Sequence, residues 1–367
     1  MRAAKSTILS HFIAAACIMT ASGGCMSPDY FFHVAGGELR SLSHSHSIDH
    51  LLAGGRVTNE TASKLELVRR VRLYARDRIG MKVGRAYTTF EEDAKGPVAY
   101  AVSGARKDKL EPHEWNYPII GKYEAKGFFD RAKAEREADR LSRKGYDAAI
   151  GEVAGFSTMG ILPDPIRASN LEGSDAELAI LVFHELTHNT IFKAGDTQFN
   201  ESMATFMGRA AAKQFFSEQY AADAPEVLAA SRHLEDLRVM DEYVTQVYER
   251  LLALYGTSLS ADDKISRREA IFEEERERFG REFKRRMHEP ALFDGAEGVV
   301  KDNATVLAAY RYHSDLSLYD GVLADLHGNL KEMISVLRKA AAKRDSFGYL
   351  KTLNARGAEP QISRRIR

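Results

Sequence analysis

The pentapeptide His184-Glu185-Leu186-Thr187-His188 constrains this chain more than any other feature. Two histidines four residues apart on an α-helix project from one face about one turn apart, so a single metal ion can reach both. The flanking residues say that a helix forms. Ser174-Asp175-Ala176-Glu177 is a capping box: a hydroxyl can accept from the N3 amide, and a glutamate can reach back to the cap amide. Leu178, Leu181, Val182, Leu186 and Ile191 then recur at helical spacing to about Lys193, and Gly195 suits the helix end. Twelve histidines in 367 residues make a chance occurrence of this pattern rare.

Neutral imidazole is a good ligand for Zn²⁺. Glu185, directly after the first histidine, stands where a general base can take a proton from an attacking water and pass it to a leaving amine. A catalytic zinc site has three protein ligands and an open fourth position. The expected third ligand is Glu201, in Asn200-Glu201-Ser202-Met203-Ala204. Phe199, Met203, Phe206, Met207 and Ala210 read as the apolar stripe of a second helix with Glu201 in its first turn. Antiparallel packing of the two helices would bring Glu201 to the histidines. The alternative is that Glu201 only favours the positive end of that helix's dipole. Asp196 has two readings as well, a hydrogen-bond partner behind a ligand histidine or the N-cap of the second helix. Asn200 is placed with Asp196 as a supporting residue behind the ligands.

Up to about residue 173, helical and extended patterns alternate. Lys64 to Ile79 carries Leu67, Val71, Tyr74 and Ala75 at helical spacing and meets a stop at Gly80. Pro97 to Val102, Tyr117 to Gly121 and Ala148 to Val153 read as extended, and Arg131 to Lys144 as a charged helix before Gly145. From Ser174 to about residue 356 almost everything reads as helix. In Ile265–Met287, Phe272, Phe279, Phe283 and Met287 share one face while mixed charges cover the rest, the pattern of a solvated helix. The fold class is therefore α+β and predominantly helical, in one domain over 25–356, with a basic tail at 357–367. His44, His46 and His50 read as a polar turn before Ile48 and Leu51 rather than as a second metal site.

Residues 1–24 read as a signal peptide. Arg2 and Lys5 precede a mostly apolar Ile8–Thr20, shorter than the roughly 20 residues a spanning helix requires. Cys25 follows the small residues Ala21-Ser22-Gly23-Gly24 and resembles the lipidated cysteine of a bacterial lipoprotein. An ordinary secretory signal cut nearby is the alternative. The expectation is an exported protein, lipid-anchored in the cell envelope and facing the periplasm. Cys17 lies inside the signal, so the mature chain has no pair of cysteines for an internal disulfide. With 52 basic and 52 acidic residues, nothing in the net charge points to nucleic acid.

At these residues the sequence resembles a family of bacterial zinc aminopeptidases, gluzincin-like in using two histidines and a glutamate. The resemblance is carried by Phe183-His184-Glu185-Leu186-Thr187-His188, by Gly195-Asp196-Thr197 and by Phe199-Asn200-Glu201-Ser202. It extends upstream through Tyr117-Pro118-Ile119-Ile120-Gly121, Lys126-Gly127-Phe128-Phe129 and Phe156-Ser157-Thr158-Met159-Gly160, and downstream to Asn303-Ala304 and Tyr310-Arg311-Tyr312. The sequence departs from the family's usual aromatic or cysteine residue before the Pro-Ile-Gly element, having Trp115-Asn116-Tyr117 there. The resemblance implies a zincin-like core with a small mixed or antiparallel sheet upstream of the metal helix, a Zn²⁺ cofactor and a peptide substrate. Gly155 to Gly160 is a candidate edge strand for substrate backbone, or else a turn packing Phe156 and Met159 into the core. Tyr312, with Tyr310 and His313 beside it, is the candidate oxyanion donor. An aminopeptidase also needs an acidic group for the free α-amine, and Glu124, Glu152 and Asp164 are available. A zinc endopeptidase and a non-catalytic envelope scaffold are the competing readings.

Overall fold

The computed structural model describes residues 45–94, 96–117, 121–153 and 164–364. The signal segment, Cys25, His44 and Gly155–Gly160 lie outside the described residues. The fold is α+β and predominantly helical. No described helix is long and apolar enough to cross a membrane.

The first half opens with strand β1 (His46–Ser47) and helices α1 (Ile48–Gly54) and α2 (Asn59–Tyr74). Ser47 caps α1 while Ile48 and Leu51 are buried and His46 and His50 stay exposed, as a polar turn entering a helix requires. α2 starts earlier than the periodicity suggests, because Thr58 accepts from the Thr61 amide. It runs on through a π-helical turn, Ala75–Ile79, and Gly80 ends it at φ 81°. Strands β2 (Thr89–Glu91), β3 (Ala99–Arg106), β4 (Trp115–Tyr117), β5 (Gly121–Tyr123) and β6 (Ala125–Phe128) precede α3 (Arg131–Arg143), β7 (Tyr146–Val153) and β8 (Ile166–Arg167). β3 is the centre of an antiparallel sheet, flanked by β6 and β7. β2 pairs antiparallel with β1 and parallel with β8, and β4 and β5 form an antiparallel pair. The upstream sheets are thus small, one mixed and two antiparallel.

Helices follow: α4 (Asp175–Thr190), α5 (Thr197–Gln219), α6 (Pro225–Tyr255), α7 (Ala261–Arg278), α8 (Asn303–His313), α9 (Leu316–Asp325), α10 (Leu330–Ala341) and α11 (Ser346–Arg364). The backbone of α11 carries the helix into the segment expected to be a loose tail from Gly357. The main core gathers Val182, Phe183 and Leu186 of α4, Phe199, Met203 and Phe215 of α5, and buried side chains of α1, α2, α9 and α10. A second core joins α6 to Phe272, Phe279, Phe283 and Met287, the stripe read from sequence. The sheet is tied to the helices by buried Arg268, which donates to Asp147 at 2.5 and 3.1 Å while Asp147 also accepts the Asn303 amide. This ion pair fixes β7 against α7 and the start of α8, and α8 carries Tyr312, whose ring lies over His184.

Candidate metal centre

α4 begins where the capping box predicts. Ser174 accepts from the Glu177 amide at 3.2 Å, and Glu177 accepts from the Ser174 amide at 2.7 Å. It ends three residues short of Lys193, because Ile191 turns extended at φ −141°. The turn to α5 is held by side chains. Asn200 accepts the Lys193 amide at 2.9 Å and returns a hydrogen bond to the Lys193 carbonyl at 2.8 Å. Asp196 accepts the Phe199 amide at 3.1 Å as N-cap, and its other oxygen pairs with Lys193 at 2.9 Å. For Asp196 the structure shows the N-cap reading, one of its two, and Asn200 is engaged at the same turn. These two side chains set where and how α5 starts.

Contacts along the two helices run in opposite directions. Lys193 meets Asn200, His188 and His184 meet Glu201, and Ile180 with His184 meets Gly208. α4 and α5 are therefore an antiparallel pair. At Gly208 a Cβ would stand 2.9 Å from the Ile180 carbonyl oxygen and 3.3 Å from His184 Cβ. Glycine lets the two backbones approach closely enough for Glu201, two turns earlier on α5, to reach both imidazoles.

The three donors form a small triangle. His184 Nε2 and His188 Nε2 are 3.2 Å apart, and Glu201 Oε2 lies 3.5 Å from the first and 3.6 Å from the second. A tetrahedral zinc with ligands at about 2.0–2.1 Å requires donor–donor edges of roughly 3.3–3.4 Å. The triangle has that size, and two imidazoles with one carboxylate are a donor set suited to zinc. The three groups are also coupled electrostatically. Burial works against ionisation of Glu201, yet His188 and His184 hold its carboxyl well below the usual carboxylate range. Burial likewise opposes a charge on His188, and Glu201 outweighs it to raise that imidazole's pKa.

Glu185 is buried beside this triangle. Burial pushes its carboxyl pKa up, against the lowering pull of His184 and His188. Tyr312, on the last turn of α8, lays its ring over His184 with centroids 6.1 Å apart and 29° between planes. The residue as a whole is 39% exposed, while its hydroxyl end is buried next to Glu201. The charge of Glu201, followed by burial, raises its hydroxyl pKa far above the ordinary value and keeps it a proton donor.

The neighbouring candidates are engaged elsewhere. Tyr310 stacks on Tyr248 at 3.7 Å and 7°, and His313 Nδ1 is 2.6 Å from Asp241. Glu124 accepts from Arg311 at 3.0 Å, so its charge is already matched. Glu152 is exposed on β7 opposite Tyr100. Asp164 is buried, and its carbonyl accepts the Tyr87 amide at 2.7 Å. Tyr87 itself is buried at φ 57°, where both Glu185 and Asp164 help burial to raise its hydroxyl pKa.

Sequence reasoning missed Tyr123, whose hydroxyl donates to Glu201 Oε1 at 2.8 Å, and Arg311, which binds Glu124 beside it. It also missed Gly208, although a lone glycine on the ligand-bearing stripe of a helix is a recognisable sign of close backbone approach.

Fold and site together define a helix-rich α+β protein with a His-His-Glu donor cluster, its histidines partly buried and Glu201 buried, next to the buried carboxylate of Glu185. Residues 29–346 match the sequence model of a family described as "Putative aminopeptidase", and the chain belongs to that family. No curated protein and no solved structure matches the chain.

Proposed function

We propose that this protein is a zinc-dependent aminopeptidase with a zincin-like core, in which His184, His188 and Glu201 hold the ion. The observation that carries this reading is the donor triangle with edges of 3.2, 3.5 and 3.6 Å, with the buried carboxyl of Glu185 in the electrostatic field of all three residues. When bound, zinc supplies Lewis acidity that polarises a carbonyl and acidifies a water molecule. Glu185 takes the proton of the attacking water and delivers it to the leaving amine, the task of a carboxylate placed directly after the first histidine of the pair. Tyr312 donates to the oxygen on which negative charge develops. A site that only fixed structure would have no use for Glu185 at this position, which argues against the scaffold reading. On the same proposal the substrate is a peptide, and the chain is exported and anchored through a lipid on Cys25.

The test is metal content together with peptide hydrolysis, in the wild type and in Glu185→Gln. The expected result is one zinc per chain in both proteins, with hydrolysis lost only in the variant. Stoichiometric zinc with no cleavage across a broad peptide library would sink the enzyme reading. Comparing free with N-acetylated peptides decides the amine requirement: cleavage indifferent to the block would make the protein an endopeptidase.

A further inference from the structure

We infer that Tyr123 is a positioning residue for the third metal ligand, holding one oxygen of Glu201 so that only the other faces the two imidazoles. The inference rests on the metallopeptidase reading above. A free carboxylate can approach an ion through one oxygen or two, and it can rotate between these modes. Here the two oxygens have different partners. The Tyr123 hydroxyl donates to Oε1 at 2.8 Å, while Oε2 stands 3.5 and 3.6 Å from the histidine nitrogens. Glu201 would thereby meet a bound ion through one oxygen, and a tetrahedral site would keep its fourth position for water or substrate.

Tyr123 is itself fixed from both sides. β5 lies against the α4–α5 turn, with Gly121 at φ 76° and so close that an added Cβ would meet the Gly195 backbone at 3.4 Å. On the other side the Glu124 amide donates to Thr197 Oγ1 at 3.4 Å. Glu124 then accepts from Arg311 through its carboxylate at 3.0 Å and through its carbonyl at 3.2 Å. Two adjacent pairs face each other: Tyr123 at the end of β5 with Glu124 following it, and Arg311 with Tyr312 on α8. Each pair contributes one residue to the ion pair and one tyrosine to the metal site. The same brace that aims Tyr123 at Glu201 sets Tyr312 over His184.

The experiment measures zinc affinity of the full chain by competition with a chromophoric chelator, for wild type, Tyr123→Phe and Glu201→Gln. Melting of the metal-free forms is recorded alongside, as is the visible spectrum after loading Co²⁺ in place of zinc. Removing an outer hydrogen bond to a metal ligand typically weakens binding by roughly 10- to 100-fold. That loss is expected for Tyr123→Phe, with metal-free melting at the wild-type temperature and a weaker cobalt absorption, as the freed oxygen raises the coordination number. Wild-type affinity and spectrum in Tyr123→Phe, with Glu201→Gln impaired, would overturn the inference and leave the metal site standing. A metal-free form that melts lower in proportion to the lost affinity would make Tyr123 merely structural and overturn it too. A wild type that binds no zinc would remove the metallopeptidase reading itself.

Discussion

Gly208→Ala sets two known effects against each other. At an ordinary helix interior, alanine in place of glycine stabilises by about 1 kcal/mol, because glycine loses more backbone freedom on folding. At this position the new methyl would lie 2.9 Å from the Ile180 carbonyl oxygen and 3.3 Å from both the backbone nitrogen and the Cβ of His184. Carbon atoms settle at about 3.5 Å or more from non-bonded neighbours, and a helix carbonyl cannot swing aside as the end of a lysine can. The helices must separate by on the order of 0.5 Å, and overpacking of this kind costs about 1–3 kcal/mol. Overpacking therefore wins, with a net destabilisation of ~0–2 kcal/mol. The effect on the metal site is larger, since ligand distances are constrained to about ±0.2 Å and Glu201 rides on the displaced helix. Urea unfolding in chelator gives the first quantity, and chelator competition for zinc gives the second. The expected result is a small loss of stability with a clear loss of zinc affinity. A variant about 1 kcal/mol more stable than wild type, with unchanged zinc binding, would show that the helices have room to spare and would refute the close-approach explanation.

Tyr312→Phe is expected to lower kcat by roughly 10²–10³-fold, the usual effect of losing one oxyanion donor, with KM and zinc content unchanged in steady-state assays. A loss below about threefold in that assay would remove Tyr312 from the reaction. Glu137 gives a pH prediction away from the metal. Its carboxylate accepts from Arg140 at 2.8 Å and from the Trp115 indole at 2.9 Å, and Arg140 leads the effects that lower its pKa from 4.5 to about 2. A depressed folded-state pKa contributes stability that is fully present above the unfolded value and lost as pH falls through the folded one. Urea unfolding of the wild type should therefore weaken between about pH 4.5 and pH 2, and Glu137→Gln should flatten that slope. Parallel curves for the two proteins would mean that Glu137 gains nothing from its partners.

What could be read from sequence is what the chain encodes within a few turns of helix. Ser174 and Glu177 announce the start of α4, and four-residue spacing puts His184 and His188 on one face. The stripe from Phe199 to Ala210 carries Glu201 to the right edge of a neighbouring helix. All of these are short-range relations, and all are present in the fold. The end of α4 was harder to read, since Gly195 marks the turn but the interruption comes at Ile191, where Asn200 takes up the Lys193 backbone from the next helix. Residues 310, 312 and 313 point in different directions around α8, and only the packing of α8 decides which of them meets His184.

The largest gap lies with charges matched across long stretches of chain. Glu124 looks free in the sequence because Arg311, the residue that neutralises it, stands 187 positions away. Tyr123 is silent for the same reason, 78 positions from the carboxylate it binds. Tyr123 ends β5 and Glu124 follows it, so one segment with no motif of its own braces a cluster whose candidate ligands the motif makes obvious. Metal binding needs donors at fixed local spacing and is therefore written locally. Orientation of those donors, and any choice among substrates, depends on side chains brought in by the fold. With Glu124 held by Arg311 and Glu152 exposed on β7, Asp164 is the acidic residue of the three that shares a buried neighbour, Tyr87, with Glu185.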